Sequence, residues 1–160
     1  MLTVDCGALG VDKKIHVAFY AKGEKINGLP ENMAVVNAEY IINIPHLMFA
    51  AMSTFTAIDG DKKMLCKTIS QEFTFNLSPS NNIQESMRVF GGQNMRIAIV
   101  DLGQRSVSEF EQLCKVHVRR EEIQDFQDIL KNRDTEAFKA LFNDTTCSDT
   151  CLSMVAVKAF

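Results

Sequence analysis

The segment Ser78-Pro79-Ser80-Asn81-Asn82, followed at once by Ile83-Gln84-Glu85-Ser86-Met87-Arg88-Val89-Phe90-Gly91, constrains this chain more than any other. Proline, serine and asparagine in succession stop any regular element, and the next residues carry the signals of a short helix. Asn81 is placed as its N-cap, with Gln84 three positions on in capping-box spacing. Gly91 follows the last periodic residue, where a left-handed glycine would end the helix. Ile83, Met87 and Phe90 then share one face. An α-helix therefore has to begin and end near the middle of the chain.

Around that helix the pattern alternates between strand and helix. Leu2–Cys6, Ile15–Tyr20, Ala34–Val36 and Met95–Leu102 read as strands, the last rich in Ile and Val. Phe73, Phe75 and Leu77 alternate with Glu72, Thr74 and Asn76, a period of two that predicts a long strand over Leu65–Leu77. Residues 22–31, with Gly23, Gly28 and Pro30, form a loop. Pro45 opens a helix carrying Leu47, Ala50, Ala51, Thr54 and Phe55, and Asp59-Gly60-Asp61 ends it. From Ser106 the pattern turns helical: Phe110, Leu113 and Cys114 make one stripe, and Ile123, Phe126, Ile129 and Leu130 another. Phe138, Leu141 and Phe142 suggest a further short helix, and Leu152 to Phe160 a last one. The expected fold is a single α+β domain over residues 1–160, a mixed or antiparallel sheet flanked by α-helices.

Composition narrows the function. The 160 residues carry 17 Lys+Arg against 20 Asp+Glu, and the two halves are alike in balance. A protein that grips long nucleic acid by counterion release carries a basic excess, so any such contact here is short, local or shared. The longest apolar stretch, Ile41 to Ala51, is interrupted by Asn43, Pro45 and His46 and is too short to span a bilayer. Met1 to Asp5 lack the pattern of a secretory leader. Five scattered cysteines do not form a disulfide framework, so a reducing intracellular compartment is expected.

Catalytic signatures are scarce. Gly7-Ala8-Leu9-Gly10 lacks the third glycine of a dinucleotide loop, and no phosphate loop, nucleophile elbow or zinc-protease helix occurs. Cys147 and Cys151, four apart on an expected helix, have the spacing to share a metal, but no other cysteine or histidine stands near them in sequence. They read as small hydrophobes. His16 in a strand, His46 at a helix start and His117 in a turn read as structural. The charged groups around Glu109, Glu111, Glu121 and Glu122 read as solvated helix faces. No cofactor, metal or small-molecule substrate is expected.

Glu72-Phe73-Thr74-Phe75-Asn76-Leu77-Ser78-Pro79-Ser80-Asn81-Asn82-Ile83-Gln84-Glu85 closely resembles a segment of the PRPK-binding protein (TPRKB) family. That segment reads F-N-L-S-P-N-N-N-I-x-E-A and leads into a helix ending F-G. Phe75 to Glu85 fit it except for Ser80, and Phe90-Gly91 end the helix in the same way. Val36-Asn37 to Pro45, the paired Ala50-Ala51, Ile97 to Val100 and Asp149 to Phe160 resemble further family segments. Two features depart: Met52-Ser53 stand where the family has Asn-Lys, and the Tyr20–Val35 region is short and glycine-rich.

The resemblance implies a non-catalytic regulatory subunit of the KEOPS (EKC) complex, which installs threonylcarbamoyl on a tRNA adenosine, in cytoplasm and nucleus. The family's subunit binds an atypical, PRPK-type kinase and the single-stranded 3′ CCA end of tRNA. Placed on this chain, the kinase contact falls to Ile83, Met87 and Phe90. The tRNA-end contact falls to Lys62, Lys63 and Lys67, together with Ser80, Asn81 and Asn82. Two other readings remain open: an adaptor that binds the kinase without RNA, and a small thiol- or nucleoside-processing enzyme using Cys147 or His117.

Overall fold

The computed structural model describes residues 1–91, 95–131 and 136. Among them one antiparallel sheet contains β1 (Leu2–Asp5), β2 (Lys14–Tyr20), β3 (Met33–Asn37), β4 (Ile97–Asp101) and β5 (Glu122–Ile123). The order is β1-β2-β4-β3, with β5 pairing the far end of β2, where Phe19 faces Ile123. The helices are α1 (Ile44–Ile58), α2 (Ile69–Leu77), α3 (Ile83–Phe90), α4 (Val107–His117) and α5 (Phe126–Lys131). Single 3₁₀ turns occupy Cys6–Leu9 and Ala38–Tyr40. This is the expected α+β arrangement.

Alternation along the strands divides the molecule into layers. Ile15, Val17, Phe19, Ala34, Val36, Ala98 and Val100 face one side, against Leu47, Ala50, Ala51 and Phe55 of α1, Phe73 and Leu77 of α2, and Phe90 of α3. Ala18, Tyr20, Met33, Ile97 and Ile99 face the other, against Phe110 and Cys114 of α4. Strand β4 is buried at all five positions, which is why its sequence is a continuous apolar run rather than an alternation.

Residues 65–77 do not form the expected strand. Thr68 caps α2, its hydroxyl accepting from the Gln71 N–H at 3.2 Å, and the segment continues as helix. The period of two misleads because α2 is buried at every residue from Glu72 to Leu77, so Glu72, Thr74 and Asn76 are as enclosed as the apolar residues between them. Its polar side chains are used internally. Glu72 Oε2 accepts from the Leu65 and Cys66 N–H groups at 2.9 and 2.8 Å. The Thr74 hydroxyl donates to the Ser70 carbonyl, and the Asn76 amide donates to Thr54 Oγ1 at 3.2 Å.

Smaller corrections follow the same logic. The cap of α3 is Asn82, not Asn81, because the helix begins at Ile83 and the third N–H is that of Glu85, which donates to Asn82 Oδ1 at 3.1 Å. Gly91 ends α3 with a φ of −85°, outside the left-handed region. Glycine suits the position for another reason: a Cβ would lie 2.6 Å from the Met87 carbonyl oxygen. His117 is the last residue of α4 rather than part of a turn. The stripe Ile123, Phe126, Ile129 and Leu130 is split between β5 and α5, with the Phe126 ring stacked on Phe19 at 5.0 Å. The helices expected at 138–142 and 152–160, with Cys147 and Cys151, lie outside the described residues.

Helix α1 is as the sequence indicates, with Pro45 in the first turn and an end at Asp59, and the structure adds Asn43 as its cap. His46 ties it to α2. Its Nδ1 accepts from the Ile42 N–H at 3.0 Å, so Nε2 carries the proton and donates to the Leu77 carbonyl at 2.7 Å. His46→Leu would take this partner from two buried backbone groups, each costing about 1–3 kcal/mol. The expected result is a clear fall in the urea midpoint.

Candidate functional site

Helix α3 is the element on which the outward features converge. It is eight residues long and packs its Ser86 and Phe90 side inward. Phe90 is 0% exposed, joins the core beneath α1 and α2, and meets the Tyr40 ring at 5.7 Å. It therefore cannot touch a partner of the folded chain, and its assignment as a contact residue is corrected. Ile83 is 38% exposed, and Met87 is half-buried. The stripe runs obliquely to the boundary of the buried face, so one helical face contains both a core anchor and two accessible apolar residues.

Met87 borders an open groove whose other walls are Met33 and Val35 of β3, Ser70, Gln71 and Thr74 of α2, and Gly91. These walls were missed from sequence for one reason. With residues 65–77 taken as a strand, Ser70 and Thr74 have no reason to stand beside Met87. The solvent side of α3 carries Gln84, Glu85 and Arg88, and Arg88 pairs with Glu85 at 3.9 Å. Neighbouring charge on this helix is thus balanced, and the accessible feature is apolar.

The lysines expected near the tRNA end lie in the loop between α1 and α2. Lys63 and Lys67 are exposed, as is Leu65 between them at 53%. Lys62 turns inward, and its ammonium donates to Ser53 Oγ at 2.8 Å. The buried Glu72 carboxylate pins the loop through the Leu65 and Cys66 amides.

Ser80, Asn81 and Asn82 are not beside the lysines. They follow the C-terminus of α2 whereas Lys67 precedes its N-terminus, and nine helical residues span about 13 Å. Their polar groups also serve the turn: Ser80 Oγ accepts from the Asn82 N–H at 3.1 Å and donates to Glu85 Oε2 at 3.1 Å. Asn81 and Asn82 remain exposed.

Several groups of catalytic type among the described residues are otherwise engaged. Burial pushes the Cys6 and Cys114 thiols up to about 11, so both are neutral rather than nucleophilic near pH 7. His16 meets Thr3 Oγ1 and the Arg105 carbonyl, each at 2.9 Å. The ring of His117 covers Gly28, where a Cβ would lie 3.1 Å from it. Among the described residues no group of three or more His, Cys, Asp or Glu is arranged to hold a metal ion.

The helix α2, the turn, and α3 with its outward Ile83 and Met87 together form the segment that carries the family motif. The family model for kinase binding protein CGI-121 matches residues 15–159. The chain belongs to the CGI-121 family. This is the TPRKB-type family that the motif at Phe75–Glu85 indicates, although that motif is a helix–turn–helix here and not a strand–turn–helix. CGI-121 proteins are kinase-binding, which makes a kinase the supported partner. The CGI-121 match extends from β2 through every described helix, and it includes both the α3 surface and the lysine loop.

Proposed function

We propose that this chain is a non-catalytic accessory subunit of a KEOPS (EKC) assembly, present in cytoplasm and nucleus, that docks a PRPK-type kinase through α3. The observation that carries the reading is an accessible apolar pair, Ile83 and Met87, on the helix that ends the family motif, beside an open groove. Apolar side chains at the edge of a pocket are the usual anchors of a protein interface.

The same subunit contacts the single-stranded 3′ end of tRNA through the exposed loop Lys63-Met64-Leu65-Cys66-Lys67. Lysines there attract phosphate, and a short single-stranded tail needs no basic surface beyond such a loop. A Lys63→Glu, Lys67→Glu double variant should weaken tRNA binding. Loss of two contacts should flatten the log–log salt dependence by about 1.4, the value for single strands. Gel shifts with tRNA bearing or lacking CCA test this, and unchanged binding by the double variant would refute it. A second reading, a kinase adaptor without RNA contact, is favoured by one observation: α2 separates the lysine loop from the polar turn.

A further inference from the structure

The chain contains one Asn-Gly step, Asn27-Gly28, and one Asp-Gly step, Asp59-Gly60. Both dipeptides are capable of cyclising, since glycine leaves its own nitrogen unhindered for attack on the preceding side chain. The structure treats them oppositely. Asp59 is clamped by the Lys13 ammonium at 2.6 and 2.8 Å, and the Gly60 N–H is engaged with the Ala57 carbonyl at 3.3 Å. Asn27 and Gly28 lie exposed in the irregular loop between β2 and β3. Among the described residues neither the Asn27 amide nor the Gly28 N–H has a hydrogen-bond partner.

The segments on either side of the step are anchored to the body of the protein. Arg120 donates to the Gly23 and Glu24 carbonyls at 2.9 Å on one side. Ile26 is buried in the second core, and Leu29 packs against it on the other side. Between these anchors the Asn27 side chain projects to solvent, and Gly28 takes a φ of +82°.

We infer that Asn27-Gly28 is a site of spontaneous covalent modification, converting to aspartate and isoaspartate through a succinimide. The Gly28 nitrogen attacks Asn27 Cγ, forming a C–N bond and losing its proton. The Cγ–Nδ2 bond breaks, and the amide nitrogen leaves as ammonia. Water then opens the imide at either carbonyl. One product has an ordinary backbone and a carboxylate at position 27. The other inserts a methylene into the main chain immediately before Gly28, which the His117 ring covers. The second product therefore disturbs the packing of the loop on α4, and the first adds only a charge.

The test is peptide mass mapping of the folded full-length chain and of the same chain in guanidinium, both held at mildly alkaline pH. The expected result is a one-dalton gain at Asn27 in both samples at similar rates, with isoaspartate among the products. At Asp59, isoaspartate should appear only in the denatured sample. An Asn27→Gln variant, whose longer side chain would have to close a six-membered ring, should lose the gain. An Asn27 that stays intact in the folded chain while the denatured chain converts would overturn the proposal. A gain of the same size in the folded Asn27→Gln variant would do so too.

Discussion

Phe90→Ala should lower the unfolding free energy by about 3–5 kcal/mol, the usual cost of removing a buried phenylalanine. The ring is fully buried where α3 meets α2 and the sheet, and it lies against Tyr40. A domain of this size has about 5–15 kcal/mol in total, so one substitution removes a large share. Urea unfolding should show a lower midpoint with an unchanged slope. Phe90→Leu, which keeps most of the volume, should lose much less. A near-neutral Phe90→Ala would mean that α3 does not contribute its C-terminal end to the core. Any loss of partner binding in Phe90→Ala then follows from unfolding, not from a missing contact.

Met87→Glu should act in the opposite way. Met87 is half-buried at the rim of the groove, so the folded state can turn a carboxylate toward water at a cost of about 1 kcal/mol or less. The proposed kinase interface has no such escape. Burying an unpaired charge at an anchor position should cost about 2 kcal/mol or more, a loss of roughly thirtyfold or greater in affinity. Co-purification with the kinase from cells, combined with an unfolding curve, separates stability from binding. A folded Met87→Glu variant that retains wild-type capture would place the interface elsewhere on the molecule. Ile83→Ala, at the exposed start of the same helix, should reduce capture less, since it removes area without introducing charge.

These two residues differ by less than one helical turn, and sequence periodicity treats them alike. A period of 3.6 reports that residues share a face, but it does not say how that face is rotated relative to the core. In α3 the buried face is centred between Ser86 and Phe90, which leaves Ile83 and Met87 at its border. The lysine loop shows a related limit. Lys62, Lys63 and Lys67 are close in sequence, yet one turns inward to Ser53 and two project outward. Nothing in the spacing of charged residues separates them.

Elements bounded by strong local signals were legible. The strands β2, β3 and β4, the N-terminus of α1 at Asn43-Ile44-Pro45, and its end at Asp59-Gly60 follow from apolar runs and turn chemistry that act locally. Helix α2 was not legible. It is enclosed by α1, α3 and β3, so its polar side chains bond to the preceding loop, to α1 and to its own backbone, and buried Phe75 obscures the Ile69-Phe73-Leu77 stripe. Local pattern reports the contrast between core and water, and α2 has little water to contrast with.

Residue order alone carries the α+β class, the boundaries set by proline, asparagine and glycine, a composition without basic excess, and the family motif from Phe75 to Glu85. These are properties of residue order, expressed over a few positions at a time. Packing of distant segments made Phe90 core and left Met87 accessible. It alone separated the lysine loop from Ser80–Asn82 by the length of α2, turned Lys62 inward to Ser53, and left the Asn27 amide and the Gly28 N–H without hydrogen-bond partners while engaging Asp59 and Gly60. Each of these depends on which distant segments pack together, and burial is a property of that packing rather than of any local pattern.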